Sequence, residues 1–136
     1  MIHFFNRNRN EILTISEVKI IDYETQCLSY IAQINYVPIN FSKNIKDYLF
    51  NLENFKNNLT DLYKNQLDSI NYVSIEGDLR IYIERNQLGQ VNVELFFQHR
   101  GFDEDTEIDV TCKYCIDLSF FPELIIELDR VLLEVS

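Results

Sequence analysis

The 136-residue sequence predicts an α+β domain: a largely antiparallel sheet of about six to seven strands packed on two helices. Two patterns carry that expectation. Three segments alternate strictly between apolar and polar residues, and two others repeat apolar residues every three or four positions. A period of two puts one face of a strand on a core and the other in water, whereas a period near 3.6 makes one apolar stripe on a helix. Sheets with one wet face are typically antiparallel, and a one-faced sheet with one-faced helices forms layers around a common core.

The strongest alternation lies between Ile70 and Tyr114. Leu79, Ile81 and Ile83 alternate with Arg80, Tyr82 and Glu84. Val91, Val93, Leu95 and Phe97 alternate with Asn92, Glu94, Phe96 and Gln98. Ile108, Val110, Cys112 and Tyr114 alternate with Glu107, Asp109, Thr111 and Lys113. A fourth strand is expected over Ile70–Glu76, with Val73 and Ile75 inward. Gly77-Asp78 is expected to form a two-residue hairpin link, and Asn86–Gln90 and His99–Asp105 the next two turns.

Towards the N-terminus, Met1–Phe5 and Glu11–Tyr23 read as strands around the polar turn Asn6–Asn10, with a bulge expected near Leu13–Ser16. Cys27–Val37 reads as a third strand, after which Pro38 is expected to limit pairing. Ser42 is expected to cap a helix whose stripe is Ile45, Tyr48, Leu49, Leu52, Phe55, Leu59, Leu62 and Tyr63. Phe121, Leu124, Ile125, Leu128 and Leu132 mark a last helix, with Ser119 as cap and Pro122 in its first turn. The expected order is three strands, a helix, four strands and a helix, forming one domain over residues 1–136 without repeat or linker.

Composition narrows the function. No apolar run reaches the roughly 18–20 residues of a membrane span, and the N-terminus lacks the order of a signal peptide. Three cysteines are too few for a disulfide framework, which fits a cytoplasmic protein. The net charge is −10, of which −8 falls from Val91 onward. That acidity argues against direct binding of nucleic acid, whose phosphates want a basic patch, and suits a basic protein partner. The plainer reading is that the charge serves solubility.

Motifs that would carry chemistry are weak. Cys112 and Cys115 have a metal or redox spacing but no second ligand pair, so a buried thiol is the better reading of Cys112. The acids from Asp103 to Asp109 lack the central Gly and closing Glu of a calcium loop. His99 has no nucleophile near it in sequence, and three glycines make no phosphate loop. No cofactor and no metal are expected, and with 22 acids giving many carboxylate pairs a hydrolase stays open as an alternative, although nothing singles out one pair. More suggestive are Tyr82 and Phe96, aromatics on the wet face rimmed by Arg80, Glu84 and Glu94, an arrangement common in protein interfaces. The alternative is that Arg80 or Arg85 stacks on these rings.

The stretches Ile75–Ile83, Leu88–Leu95 and Asp117–Leu124, behind a helix like that of Ile45–Tyr63, resemble the small WapI-type immunity proteins of bacterial polymorphic toxin systems. That resemblance implies a cytoplasmic antidote that binds a cognate toxin protein without catalysis, the toxin often being a nuclease with a basic groove. Under it, Asp103, Glu104, Asp105, Glu107 and Asp109 are the expected acidic contact surface, with Tyr82 and Phe96 as anchors. A homodimer through an open sheet edge is a further expectation. The alternative function is a small-ligand-binding or structural domain.

Overall fold

The structure is a computed structural model that describes residues 1–101 and 105–135. It uses one plan twice. Strands β1 (Ile2–Phe5), β2 (Glu11–Asp22), β3 (Cys27–Tyr36) and β4 (Ile39–Tyr48) run into helix α1 (Leu49–Tyr63). Strands β5 (Ser69–Val73), β6 (Leu79–Arg85), β7 (Gln90–Arg100) and β8 (Glu107–Asp117) then run through a short 3-10 turn into helix α2 (Phe121–Val135). Each set of four forms its own antiparallel meander, in the order β1-β2-β3-β4 and β5-β6-β7-β8. The α+β class is as expected, but eight strands in two sheets replace the single sheet of six to seven.

The additional strand is β4. It pairs with β3 along its whole length, from Tyr36 opposite Ile39 to Cys27 opposite Tyr48. Pro38 sits in the turn between them, where its missing N–H removes no ladder bond. Ile45 and Tyr48, expected on the first helical turn, therefore lie in β4, and Ser42 is a strand residue. Helix α1 begins at Leu49 and buries Leu49, Leu52, Phe55, Leu59 and Leu62, the expected stripe from that point on. Ile45 happens to fall in step with that stripe because spacings of three and four also join a strand residue to a following helix.

A second correction concerns β5. Ile70 and Tyr72 are its buried residues, while Val73 and Ile75 are 38% and 42% exposed. The connection to β6 is a five-residue bend instead of a two-residue link. Ser74 is buried there: its N–H donates to Leu79 O at 3.0 Å and its Oγ accepts from Leu79 N–H at 3.1 Å. Gly77, at φ 75°, donates to Ser74 O. The expected irregularity of β2 takes the form of two bulges that flank the segment. Ile12 is skipped between the pairs Phe4–Leu13 and Phe5–Glu11, and Glu17, at φ 53°, lies between the pairs Ser16–Ile31 and Lys19–Ser29.

The two units are bound into one core. Each helix packs chiefly on the other helix and on the first strand of the other unit, α1 on β5 and α2 on β1. Phe4 stacks on Phe55 of α1, Phe55 meets Tyr72 of β5, and Phe41 of β4 meets Phe97 of β7 edge-on at 5.1 Å. The buried apolar side chains form a single cluster that includes both sheets and both helices.

One polar chain crosses this core. The Tyr30 hydroxyl of β3 lies 2.6 Å from that of Tyr72, and Tyr72 donates to the Asp47 carboxylate at the end of β4. Because Tyr72 gives its single proton to Asp47, Tyr30 is the donor to Tyr72. Asp47, fully buried, also accepts from the Tyr48 N–H and from the Asn51 amide, which reaches on to Val73 O at 2.8 Å. Burial pushes the Asp47 carboxyl above its ordinary range and both phenols well above theirs. Beyond this chain, Lys43 of β4 pairs with Asp78 at 3.3 Å and donates to Gln98 O of β7.

The chain predicts an order of stabilities. Tyr30→Phe leaves the bond from Tyr72 to Asp47 and should cost about 0.5–1.5 kcal/mol. Tyr72→Phe removes a donor from a buried carboxylate and strands the Tyr30 hydroxyl, and should cost about 1–3 kcal/mol; chemical denaturation of the two variants measures both. A second expectation concerns pH. A carboxyl with a raised folded pKa binds its proton more tightly in the folded state, so its contribution declines as pH rises from the unfolded value through the folded one. The stability of wild type relative to Asp47→Asn should therefore fall as the pH rises above about 4.

Candidate functional site

The outer face of the second sheet is set by the parity of its strands. Because Ile70, Tyr72, Leu79, Ile81, Ile83, Val93, Leu95 and Phe97 are drawn into the core, their neighbours must face outward. The register then fixes which outward residues meet. Asn71, Tyr82, Glu94 and Lys113 form one row across the four strands, and Val73, Arg80, Phe96 and Thr111 form the next. Gln98 beside Asp109 and Arg100 beside Glu107 continue the face along β7 and β8.

The sequence-derived candidates thus share one surface. Tyr82 is 37% exposed and Phe96 half-buried. Arg80 lies over the Phe96 ring, its guanidinium 5.4 Å from the centroid, so the cation–π alternative holds for Phe96, while among the described residues no cation stacks on Tyr82. Together with Asn71 and Glu94 these side chains line a shallow depression of about 330 Å³. Asp109, exposed, comes one row beyond Phe96 on the same face, about 7 Å along the strand. Glu107 is exposed too, but it accepts from Gln98 Nε2 and lies 4.0 Å from Arg100 Nε. Asp105 is exposed just before β8, and Asp103 and Glu104 lie outside the described residues.

Two residues of this face were not singled out from the sequence. Asn71 was hidden by the reversed parity of β5, and Lys113 by being read only as a solvated strand residue. Tyr72 held the signal for the first: a tyrosine flanked by Asn71 and Val73 turns inward here because its hydroxyl has buried partners in Asp47 and Tyr30.

Cys112 is half-buried on the inner face of β8 and Cys115 is exposed on the outer face, its Sγ 2.9 Å from Asn92 Oδ1. Positions three apart on a strand point to opposite sides, so the two thiols cannot bridge. Burial raises the Cys112 thiol above its ordinary value. His99 is exposed, and its ring lies 3.3 Å from Lys43 Nζ. A cation there is no orienter for a general base. Among the described residues, no group of three or more His, Cys, Asp or Glu side chains is placed to hold a metal. The small cavity between β1, α2 and the second sheet, lined by Phe4, Ile83, Tyr114 and Phe121 among others, holds about 20 Å³, room for roughly one water. No helix among the described residues is long and apolar enough to cross a membrane.

Comparison of the chain with models of known protein families finds no match, and neither does comparison with curated proteins.

Thiol chemistry checks the placement of β8. Cys115 should react with a neutral aromatic disulfide reagent within the first phase, and Cys112 more slowly because it is shielded and less ionised. Equal rates would show that the inner face is open.

Proposed function

We propose that this protein is an immunity protein that neutralises a cognate bacterial toxin by binding it through the outer face of the second sheet, without catalysis. The observation that carries this reading is the coincidence of two candidate sets on one surface. The aromatics Tyr82 and Phe96 and the acids Glu107 and Asp109 share one face of one sheet. A shallow face with an aromatic centre and a charged rim fits a protein partner better than a small ligand, which calls for a concave, largely enclosed site. The resemblance to WapI-type immunity proteins supports the nature of that partner.

In this reading the acids act mainly before contact. The net charge of −10, of which −8 falls from Val91 onward, draws a basic nuclease-type toxin toward the protein and raises the rate of association. Tyr82 and Phe96 act after contact, where desolvated aromatics contribute the larger share of affinity. Arg80, already stacked on Phe96, keeps that ring in place and offers its guanidinium to a carboxylate or carbonyl of the toxin.

The direct test looks immediately upstream for a gene that encodes a toxin-like C-terminal domain and uses that domain. Expressed in a sensitive host, it should arrest growth alone and not when this protein is present, and the two should co-purify. Unrelieved arrest with no complex at low salt would overturn the reading. The face has its own expected signature. Reversing Asp105, Glu107 and Asp109 to Lys should slow association and flatten its salt dependence, while Tyr82→Ala and Phe96→Ala should speed dissociation and each cost about 2 kcal/mol or more of affinity.

A further inference from the structure

The two sheets leave four edges, and they are not equivalent. Strand β1 is four residues long and packed by α2, and β5 is five residues long and packed by α1. The fourth strands are the long ones, ten residues in β4 and eleven in β8. Among the described elements, β8 packs chiefly on β7.

The hydrogen-bond alternation shows which β8 groups are unsatisfied by β7. Gln98 N–H donates back to Asp78 O, at the β6 side, and Gly101 N–H donates to Thr106 O, at the β8 side. In an antiparallel ladder the bonded pairs fall at every second residue. The β8 residues bonded to β7 are therefore the inward ones, Ile108, Val110, Cys112 and Tyr114. The outward ones, Glu107, Asp109, Thr111, Lys113 and Cys115, turn their N–H and C=O to the open edge.

That edge is self-complementary. Asp109 and Lys113 stand two residues either side of Thr111. When a second β8 lies antiparallel with Thr111 opposite Thr111, the open N–H and C=O groups of both strands meet. Asp109 of each copy then faces Lys113 of the other, two opposite-charge pairs related by the two-fold axis. On the inner side the same register sets Val110 against Cys112 and Ile108 against Tyr114, which covers Ile108, 47% exposed in the single chain. Strand β4 has no such pattern. Its outward residues Asn40, Ser42, Asn44 and Lys46 include a cation and no acid.

We infer that two copies of this chain pair through β8, antiparallel about Thr111, to join their second sheets into one continuous eight-stranded sheet. Asp109 and Lys113 select the register, and the pairing closes after two copies because the contact is isologous. The outer faces of the two copies come to lie side by side on the joined sheet. The inference rests on the ladder and the charge spacing of β8 and does not depend on what the face binds.

Sedimentation equilibrium of the full chain tests it. Wild type should be dimeric, Lys113→Asp should raise the dimer dissociation constant about tenfold or more by setting four carboxylates across the edge, and Asp109→Lys with Lys113→Asp should restore the dimer. A covalent readout is independent of those charges. Val110→Cys should form an intermolecular disulfide with Cys112 of the other copy on mild oxidation, lost when Cys112→Ser is added, since facing residues of an antiparallel pair lie within disulfide reach. A monomeric wild type would overturn the inference. So would a dimer that is indifferent to Lys113→Asp and forms no Val110→Cys disulfide.

Discussion

The structure depends on how one buried carboxylate is accommodated. Asp47, next to last in β4, lies fully buried before the start of α1 and has no cationic partner among the described residues; donors from Tyr48, Asn51, Tyr72 and the Ile75 backbone hold it. An unpaired charge in an apolar core would be costly, so the donors must be delivered together. Tyr72 comes from the other sheet, and Asn51 from the helix that links the two sheets. Satisfying Asp47 thus brings β5 to the end of β4, and that contact fixes how the second unit sits on the first. Tyr30 completes the chain from below.

This constraint reaches the surface by parity. Tyr72 must face inward to reach Asp47, so Asn71 and Val73 must face outward. The register of β5 on β6 then aligns Asn71 with Tyr82, and β6 on β7 aligns Tyr82 with Glu94 and Arg80 with Phe96. The candidate site is the reverse side of the core packing. Its aromatics are placed by the same alternation that buries Ile81, Ile83, Leu95 and Phe97.

Much of this was readable from local pattern alone. The strands from Leu79 to Tyr114 and the stripes of both helices follow from alternation and spacing, because each element buries one face against the same cluster. What local pattern missed was decided by partners distant in sequence. Strand β4 carries Lys43 and Asp47 on its inner side, which breaks any apolar alternation, and those residues are tolerated only because Asp78 and Tyr72 come to meet them. Val73 outweighed Tyr72 on hydrophobicity, yet the hydroxyl bonds reversed the order. The duplicated plan of four strands and a helix was hidden for the same reason: without β4 the first half looked like three strands.

The account's central claim is that the outer face of the second sheet is the contact surface. Hydroxyl-radical footprinting of the protein, free and in complex with a toxin domain that it neutralises, tests it at the level of side chains. Tyr82 and Phe96 should become protected, while Tyr36 and Phe50, exposed on the first unit at 44% and 56%, should label as before. Protection of Tyr36 or Phe50 with Tyr82 unchanged would contradict the account and move the contact to the first sheet or α1.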